Sequence, residues 1–269
     1  LSDRLGSQRM FTRGMLLFFF GALVCTFSPN VSFLIAGRTM QGIGAAIYAP
    51  SSLAMVLLRF HKTHHPLAIG IWAASVPIGS ALSPTFASLI LEIADWRWMF
   101  AVQTIGAAAV VIAIALHKTK EISAEIINTG SLDILGIPIG TAAIGCLALG
   151  IVQGPRWGWM SWGTILAFIA SATFFPIFLY RNKGQPVPLI DFKLFSIPTF
   201  TTANAVSLGV SLVGSSVWLL WPIHLSTVWE YSQIQIGLAI TPTPLLAGVV
   251  SIGTGRWVQN YGYRGILLV

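Results

Sequence analysis

Charged residues are scarce in this sequence. Asp, Glu, Lys and Arg make up only 9% of its 269 residues, whereas 55% are hydrophobic. An ordinary soluble domain is about 25% charged. The composition therefore excludes a water-soluble fold. The net charge of +7 predicts no nucleic-acid partner, because the basic residues lie in short loops between apolar runs, where membrane topology explains them.

Cysteine is equally scarce. Cys25 and Cys146 both lie inside apolar runs, which excludes a disulfide framework and a zinc site with paired ligands. The sequence has no GxxxxGK[ST] loop for ATP, so we expect no cofactor and no resident metal. We also expect no catalytic residues: Ser80 and Ser83 are available within an apolar run, but no histidine lies mid-span to activate them as nucleophiles.

What the sequence does have is eight apolar runs, each long enough to cross a hydrocarbon core roughly 30 Å thick. Their length, near 20 residues, and the lack of strict alternation favour helices over barrel strands. The sequence predicts an all-α, multi-pass membrane helical bundle. The predicted spans are 11–28, 31–58, 67–93, 98–116, 132–152, 160–180, 200–223 and 236–254.

The loops predict orientation and domain boundaries. Most of the fifteen Lys and Arg residues lie in alternate loops, which are expected to be cytoplasmic. Two of these loops, 117–130 and 181–197, are longer and polar. They divide the chain into 1–116, 117–196 and 197–269. The chain starts inside a loop at Leu1 and stops as a new apolar run begins, so we expect both ends to continue.

The opening stretch, LSDRLGSQR, places acid, base and a glycine turn in one tight loop. Asp3, Arg4, Gly6 and Arg9 resemble the signature loop between the second and third helices of the major facilitator superfamily. In that family the acid pairs across the bundle to hold one conformation closed. The alternative is a basic loop that only sets topology. A weak internal repeat of this loop, GRWVQNYGYR, has Gly262 in the place of Gly6.

The second span, with LIAGRTMQGIGAA, carries an arginine about two turns into an apolar helix. Arg38, Gln41, Gly42 and Gly44 match the fourth-helix motif of proton-coupled exporters in this superfamily, where the arginine is implicated in proton transfer. A charge at that depth needs a partner or a wet cavity, and the small residues permit close helix approach. The alternative is an arginine that snorkels to the headgroups.

The third span is rich in proline and small residues. Pro77, Gly79 and Pro84 are candidates for a helix kink, at the position of the family's antiporter motif, although serine and alanine replace several of its glycines. The alternative is an ordinary proline-kinked helix. Three further motifs follow in the order found in fourteen-helix drug:proton antiporters: LDILG from Leu132, PLIDFKLF from Pro188 and IGLAITP from Ile236.

The resemblance covers nearly the whole chain. It implies that residues 1–116 belong to the amino-terminal bundle, that the next two spans form an extra helix pair, and that 197–269 begins the carboxy-terminal bundle. It further implies proton-coupled export of drugs, toxins or other small amphipathic compounds, with protons and the lipid bilayer as partners, at the plasma membrane. The alternatives are a nutrient or iron-chelate uniporter or symporter of the same superfamily, and a non-transporting membrane receptor or scaffold.

Overall fold

The computed structural model describes residues 6–116, 133, 135–185 and 188–262. Throughout these ranges the secondary structure is helical, and they contain no β-strand. Short 3₁₀ turns, Lys62–His64 and Phe192–Ser196, precede two of the helices. In chain order the α-helices are α1 Ser7–Thr26, α2 Val31–Arg59, α3 His65–Ile93, α4 Arg97–Leu116, α5 Gly136–Trp157, α6 Trp162–Lys183, α7 Pro198–Thr227, α8 Gln233–Ile240 and α9 Pro242–Tyr261.

The predicted number of membrane spans is confirmed for the described residues. Eight helical segments are long and apolar enough to cross a membrane, with α8 and α9 together forming the last. The fifth span was predicted at 132–152, but the helix runs from Gly136 to Trp157. It begins later because Asp133 lies outside the helix and accepts a hydrogen bond from the Gly136 amide. Gly158, at φ 93°, follows its last residue.

Side-chain caps fix the start of three helices on the face expected to be external. The Asn30 side chain accepts a hydrogen bond from the Phe33 amide at the start of α2. Ser161 caps α6 in the same way. Ser232 forms a reciprocal capping box with Gln235 at the start of α8. Each cap satisfies amides that would otherwise lack a partner in the first turn.

The chain forms two compact units. One comprises residues 1–127 and 215–269, and the other comprises 128–214. Within the first unit, α1 packs against α2 and α4, and α3 packs against α8 and α9. Within the second, α5 and α6 form an antiparallel pair. The three-domain division made from the sequence stays a prediction.

We predict that the loop at Lys62 is cytoplasmic and the loop at Arg156 external. In a full-length protein with Cys25 and Cys146 replaced by serine, single cysteines at the two positions should react with an impermeant thiol reagent from opposite faces of an intact membrane. The physical reason is the asymmetry of Lys and Arg between alternate loops. Labelling of both positions from one face would refute the span count or the orientation.

Candidate functional site

The described structure begins at Gly6, inside the opening loop. Asp3 and Arg4 lie outside the described residues. Gly6 precedes α1 with φ 84°, a left-handed conformation that side-chain-bearing residues rarely adopt. Gly262, its counterpart in the weak internal repeat, follows α9 with φ 78°. Both loops therefore need glycine at this turn. Arg9 lies in the first turn of α1, and the gating role of the loop stays a prediction.

Two pairs of glycines bring α1 and α2 into backbone contact. Gly14 and Gly21 are spaced seven residues apart on α1, as Gly37 and Gly44 are on α2. A Cβ placed on Gly21 would lie 2.7 Å from the Gly37 carbonyl oxygen, and one on Gly44 would lie 2.7 Å from the Gly14 carbonyl oxygen. Spacing by seven keeps the glycines on one helix face. This contact fixes the rotation of α2 and hence the direction in which Arg38 points.

Of the two motif glycines, Gly44 lies in the contact between α1 and α2 and Gly42 lies outside it. The gating or proton-coupling role expected of Gly42 stays a prediction. No described atom beyond its own helix lies within 4 Å of a Cβ built on Gly42, whereas Gly44 meets the Phe18 backbone nitrogen at 2.6 Å. Two residues along a helix correspond to a rotation of about 200°. Gly42 therefore faces away from α1, on the same side of the helix as Arg38.

We predict that Gly44→Ala destabilises the full-length protein by about 1–3 kcal/mol, because the added methyl meets rigid backbone and the helices must separate. Gly42→Ala is the matched control. It should be neutral or stabilising by up to about 1 kcal/mol, because alanine favours helix. Thermal unfolding in detergent measures both, and equal losses in the two variants would contradict the prediction.

A chain of polar side chains runs from Arg38 to α4. One guanidinium nitrogen of Arg38 donates to Gln41 Oε1 at 3.1 Å, and Gln41 Nε2 donates to Gln103 Oε1 at 3.0 Å. Gln41 is buried, with 3% of its surface exposed. The Arg38 guanidinium also lies 5.8 Å from the centre of the Phe100 ring. Arg38 is thus linked to α4 by hydrogen bonds and a cation–π contact.

The direction of this chain favours one of the two interpretations of Arg38, and its role in proton coupling stays a prediction. By the predicted orientation, α2 enters the membrane from outside at Val31, so Gln41 lies one turn deeper than Arg38. A snorkelling arginine would reach the opposite way, to the headgroups. Within the described residues Arg38 forms no ion pair, and its side chain is exposed. The geometry favours a guanidinium held at depth by amides and an aromatic face.

A second close contact joins α3 to α8 and α9. Near the start of α3, Gly70 faces Gly255: a Cβ on Gly70 would lie 3.0 Å from the Gly255 Cα, and Ser251 donates to the Gly70 carbonyl at 3.1 Å. Farther along α3, the Thr241 hydroxyl oxygen lies 3.0 Å from the Ala81 carbonyl oxygen and 3.1 Å from the Thr85 hydroxyl, and 2.7 Å from the Gly237 carbonyl oxygen of α8. We call this contact the α3–α9 seam.

The kink candidates lie on α3 but are not the residues that form the seam. Pro77 and Pro84 lie inside one continuous helix, so kinking at either residue stays a prediction. Gly79 has no described atom of another helix within 4 Å of a Cβ built on it. Gly70, Ala74, Ala81 and Thr85 recur at intervals of four or seven and form the seam face.

An ion pair closes the α5–α6 pair at the end that is expected to be cytoplasmic. Asp133 accepts hydrogen bonds from Arg181 Nε at 2.8 Å and from the Gly136 amide at 2.9 Å. The Asp133 side chain is only 1% exposed. The hydrogen bond from Arg181 holds the pKa of Asp133 below its ordinary value. A Cβ on Gly136 would clash with the Asp133 carboxylate, which explains the glycine in LDILG.

The next residue, Asn182, ties the following loop to the end of α6. Its Oδ1 accepts from the Leu189 amide at 2.8 Å and the Ile190 amide at 3.2 Å, while its Nδ2 donates to the Ile190 carbonyl at 2.6 Å. Asn182 is 2% exposed. It satisfies backbone groups that would be costly to bury unpaired. This anchor fixes the start of the PLIDFKLF motif.

Comparison with known proteins identifies the family. The model of the Major Facilitator Superfamily matches residues 1–269. The chain belongs to the major facilitator superfamily. Similar curated proteins include the methylenomycin A resistance protein of Bacillus subtilis (strain 168), 30% identical over 246 residues, covering 90% of this chain and 51% of that protein.

Two further relatives extend this comparison. The multidrug resistance protein Stp of Mycobacterium tuberculosis (strain CDC 1551 / Oshkosh) is 29% identical over 98% of this chain and 49% of its own length. The lincomycin resistance protein LmrB of Listeria monocytogenes serovar 1/2a (strain ATCC BAA-679 / EGD-e) is 26% identical over 92% of this chain and 52% of its own. The chain spans about half the length of the curated relatives it matches.

Membership in the major facilitator superfamily confirms the predicted fold class, and the chain is part of an integral, multi-pass membrane protein. Sequence reasoning missed three residues of this major facilitator chain that the structure connects to the predicted motifs. They are Gly37, Arg181 and Asn182. The seven-residue glycine spacing could have revealed Gly37, and a basic residue ending the helix after LDILG could have revealed Arg181. For Asn182 the sequence carries no signal that we recognise.

Proposed function

We propose that the full-length protein exports drugs or other small amphipathic compounds in exchange for protons. The observation that carries this proposal is the Arg38–Gln41–Gln103 chain. It holds a cation deep in an apolar helix, where a charge is costly and is normally retained for a function. A fixed positive charge there lowers the proton affinity of acidic groups and water near it, which makes it suited to proton coupling.

The relatives support the choice of substrates. They are named for resistance to methylenomycin A, to lincomycin and to multiple drugs. Export is the transport direction by which such a protein would protect a cell. The absence of any ATP-binding loop in the sequence is consistent with a secondary transporter, driven by an ion gradient.

The α3–α9 seam supports alternating access as the mechanism. By the family plan, α3 belongs to the amino-terminal bundle and α9 to the carboxy-terminal bundle. The seam combines glycine contacts toward one membrane face with threonine hydroxyl contacts toward the other. Small residues without long side chains let two helices rock against each other with little repacking. Such a seam suits two bundles that open alternately to each side.

The test is substrate-driven proton movement in everted membrane vesicles that contain the full-length protein. A respiration-driven, acid-inside gradient is reported by a lumenal pH dye, and methylenomycin A or lincomycin is then added outside. We expect the substrate to enter as protons leave, so that the lumen becomes more alkaline. Vesicles without the protein and vesicles treated with a protonophore serve as controls.

The outcomes separate antiport from its nearest alternative. A symporter of nutrients or iron chelates would move substrate and protons in the same direction, so that entry of substrate would acidify the lumen. Substrate entry without any change in lumenal pH would indicate a uniporter. Either result, with the protein present at normal level, would overturn proton-coupled export.

A further inference from the structure

The loop between α6 and α7 lies at the membrane surface. α6 ends at Lys183 and α7 begins at Pro198, and both are membrane-length helices. The loop therefore leaves and re-enters the membrane on the same face, which is expected to be cytoplasmic. The three hydrogen bonds of Asn182 hold residues 189 and 190 against the end of α6. Because the end of a membrane-length helix holds the loop, we expect the loop to lie at the level of the lipid headgroups.

The anchored loop exposes a run of bulky apolar side chains. Asp191 accepts a hydrogen bond from the Lys193 amide and starts the 3₁₀ turn Phe192–Ser196. The apolar side chains of residues 189–197 are between 37% and 49% exposed. They are Leu189, Ile190, Phe192, Leu194, Phe195 and Ile197. Exposed apolar groups at this depth fit the boundary between headgroups and acyl chains.

A cavity of about 340 Å³ opens beside this apolar run. Lys183 and Lys193 line it together with the amide of Gln185, while Ile190 and Phe192 form its apolar side. Neither lysine forms an ion pair with any residue that the structure describes. The carboxylate of Asp191 also lines the cavity. Two positive charges against one negative charge leave a net charge of +1, which matches a singly charged anion.

We propose that this cavity binds the headgroup of an anionic phospholipid of the cytoplasmic leaflet. Lys183 and Lys193 contact the phosphate diester, and Gln185 donates a hydrogen bond to its oxygens. Ile190 and Phe192 contact the start of the acyl chains. A lipid is the occupant because the cavity adjoins an exposed apolar run held at the interface, and a soluble phosphate would leave that run uncovered. This binding is independent of the proposed transport activity.

The test is photo-crosslinking of lipid to the full-length protein in nanodiscs. Phosphatidylglycerol with a photoreactive group near its headgroup is compared with a matched phosphatidylcholine, and the labelled peptide is identified by mass spectrometry. We expect phosphatidylglycerol to label residues 183–197 and phosphatidylcholine to label them much less. Each basic residue near an anionic lipid surface is worth about a factor of five in affinity. Lys183→Gln combined with Lys193→Gln should therefore weaken labelling roughly 25-fold.

The control is Lys62→Gln, which removes a lysine from a different loop on the same face and should leave labelling of 183–197 unchanged. Thermal unfolding of each variant checks that the Asp133–Arg181 ion pair still holds the helix pair together. Equal labelling by the two lipids would overturn the proposal. Complete suppression by excess inorganic phosphate, or by Lys62→Gln alone, would overturn it too, by indicating a free anion or a general surface potential.

Discussion

Arg38→Ala is expected to reduce proton-coupled export by the full-length protein roughly tenfold or more, the effect of losing one charge-assisted hydrogen bond in the state that uses it. The variant removes the cation and leaves Gln41 Oε1 without its donor. Arg38→Lys should retain part of the activity and shift its pH dependence. Lysine keeps the charge but loses the planar set of donors. The measurement is substrate-driven proton movement in everted vesicles at several pH values.

Gln41→Leu tests whether Arg38 acts through its amide partner. It breaks both hydrogen bonds of the chain, to Arg38 and to Gln103, while keeping the charge. We expect it to shift the pH profile as Arg38→Lys does. Arg59→Ala removes an arginine from the cytoplasmic end of the same helix and should leave export normal. If Arg38→Ala showed the wild-type export rate and pH profile at normal protein level, proton-coupled export would not depend on Arg38. Arg38 would then only anchor α2.

The features that were predictable from the sequence are those determined by neighbours within a few residues. Apolar length defines a membrane span, so eight spans could be counted before any coordinates were known. Arg38 and Gln41 are three residues apart on one helix, so their contact also follows from helix geometry. Asp133 lies three residues before Gly136, so its hydrogen bond from the Gly136 amide is likewise a contact between near neighbours.

Other features depend on how separate helices rotate and meet. A polar residue inside an apolar run, such as Gln103, is expected to bond between helices, and its hydrogen bond with Gln41 confirms this. Its partner, 62 residues earlier, could not be predicted, because the packing of α1 against both α2 and α4 brings the two amides together. Gly42 was chosen because it matched a family motif, but the packed face is defined by Gly37 and Gly44. Asn204, a polar residue inside an apolar run, donates to the Phe200 carbonyl of its own helix. The residue pattern of one helix does not predict how the neighbouring helix is rotated against it.

The ion pair of Asp133 and Arg181 gives the second large expected effect. Asp133→Ala should lower the unfolding temperature of the full-length protein by several degrees, because it leaves Arg181 and the Gly136 amide without the acceptor that the Asp133 side chain supplies. Asp133→Asn should be milder, since the amide oxygen can still accept from Gly136. Arg181→Ala combined with Asp133→Ala should cost less than the sum of the single variants, because the residues form one interaction.

The pH dependence of this effect has a defined sign. Because Arg181 holds the folded-state pKa of Asp133 below its ordinary value, the ion pair contributes stability at pH values above that ordinary value, about 4. The contribution is lost as pH falls through the folded-state pKa. The difference in unfolding temperature between wild type and Asp133→Asn should therefore be full at neutral pH and shrink in strong acid. A difference independent of pH would indicate that shape, not charge, is what Asp133 supplies.

Two matched controls separate the contact of Asp133 with Arg181 and Gly136 from an ordinary exposed ion pair and from ordinary helix packing. Asp95→Ala breaks the Arg97–Asp95 pair, whose side chains are 40% and 50% exposed, and it should change the unfolding temperature little, as exposed pairs generally do. Gly136→Ala should destabilise as strongly as Asp133→Ala, since the methyl would occupy the place of the carboxylate. Gly145→Ala, on the same helix with no described neighbour within 4 Å of its added Cβ, should be tolerated. If Gly136→Ala and Gly145→Ala lowered the unfolding temperature equally little, Asp133 would not be held in place beside Gly136. That result would contradict the contact of Asp133 with Arg181 and Gly136.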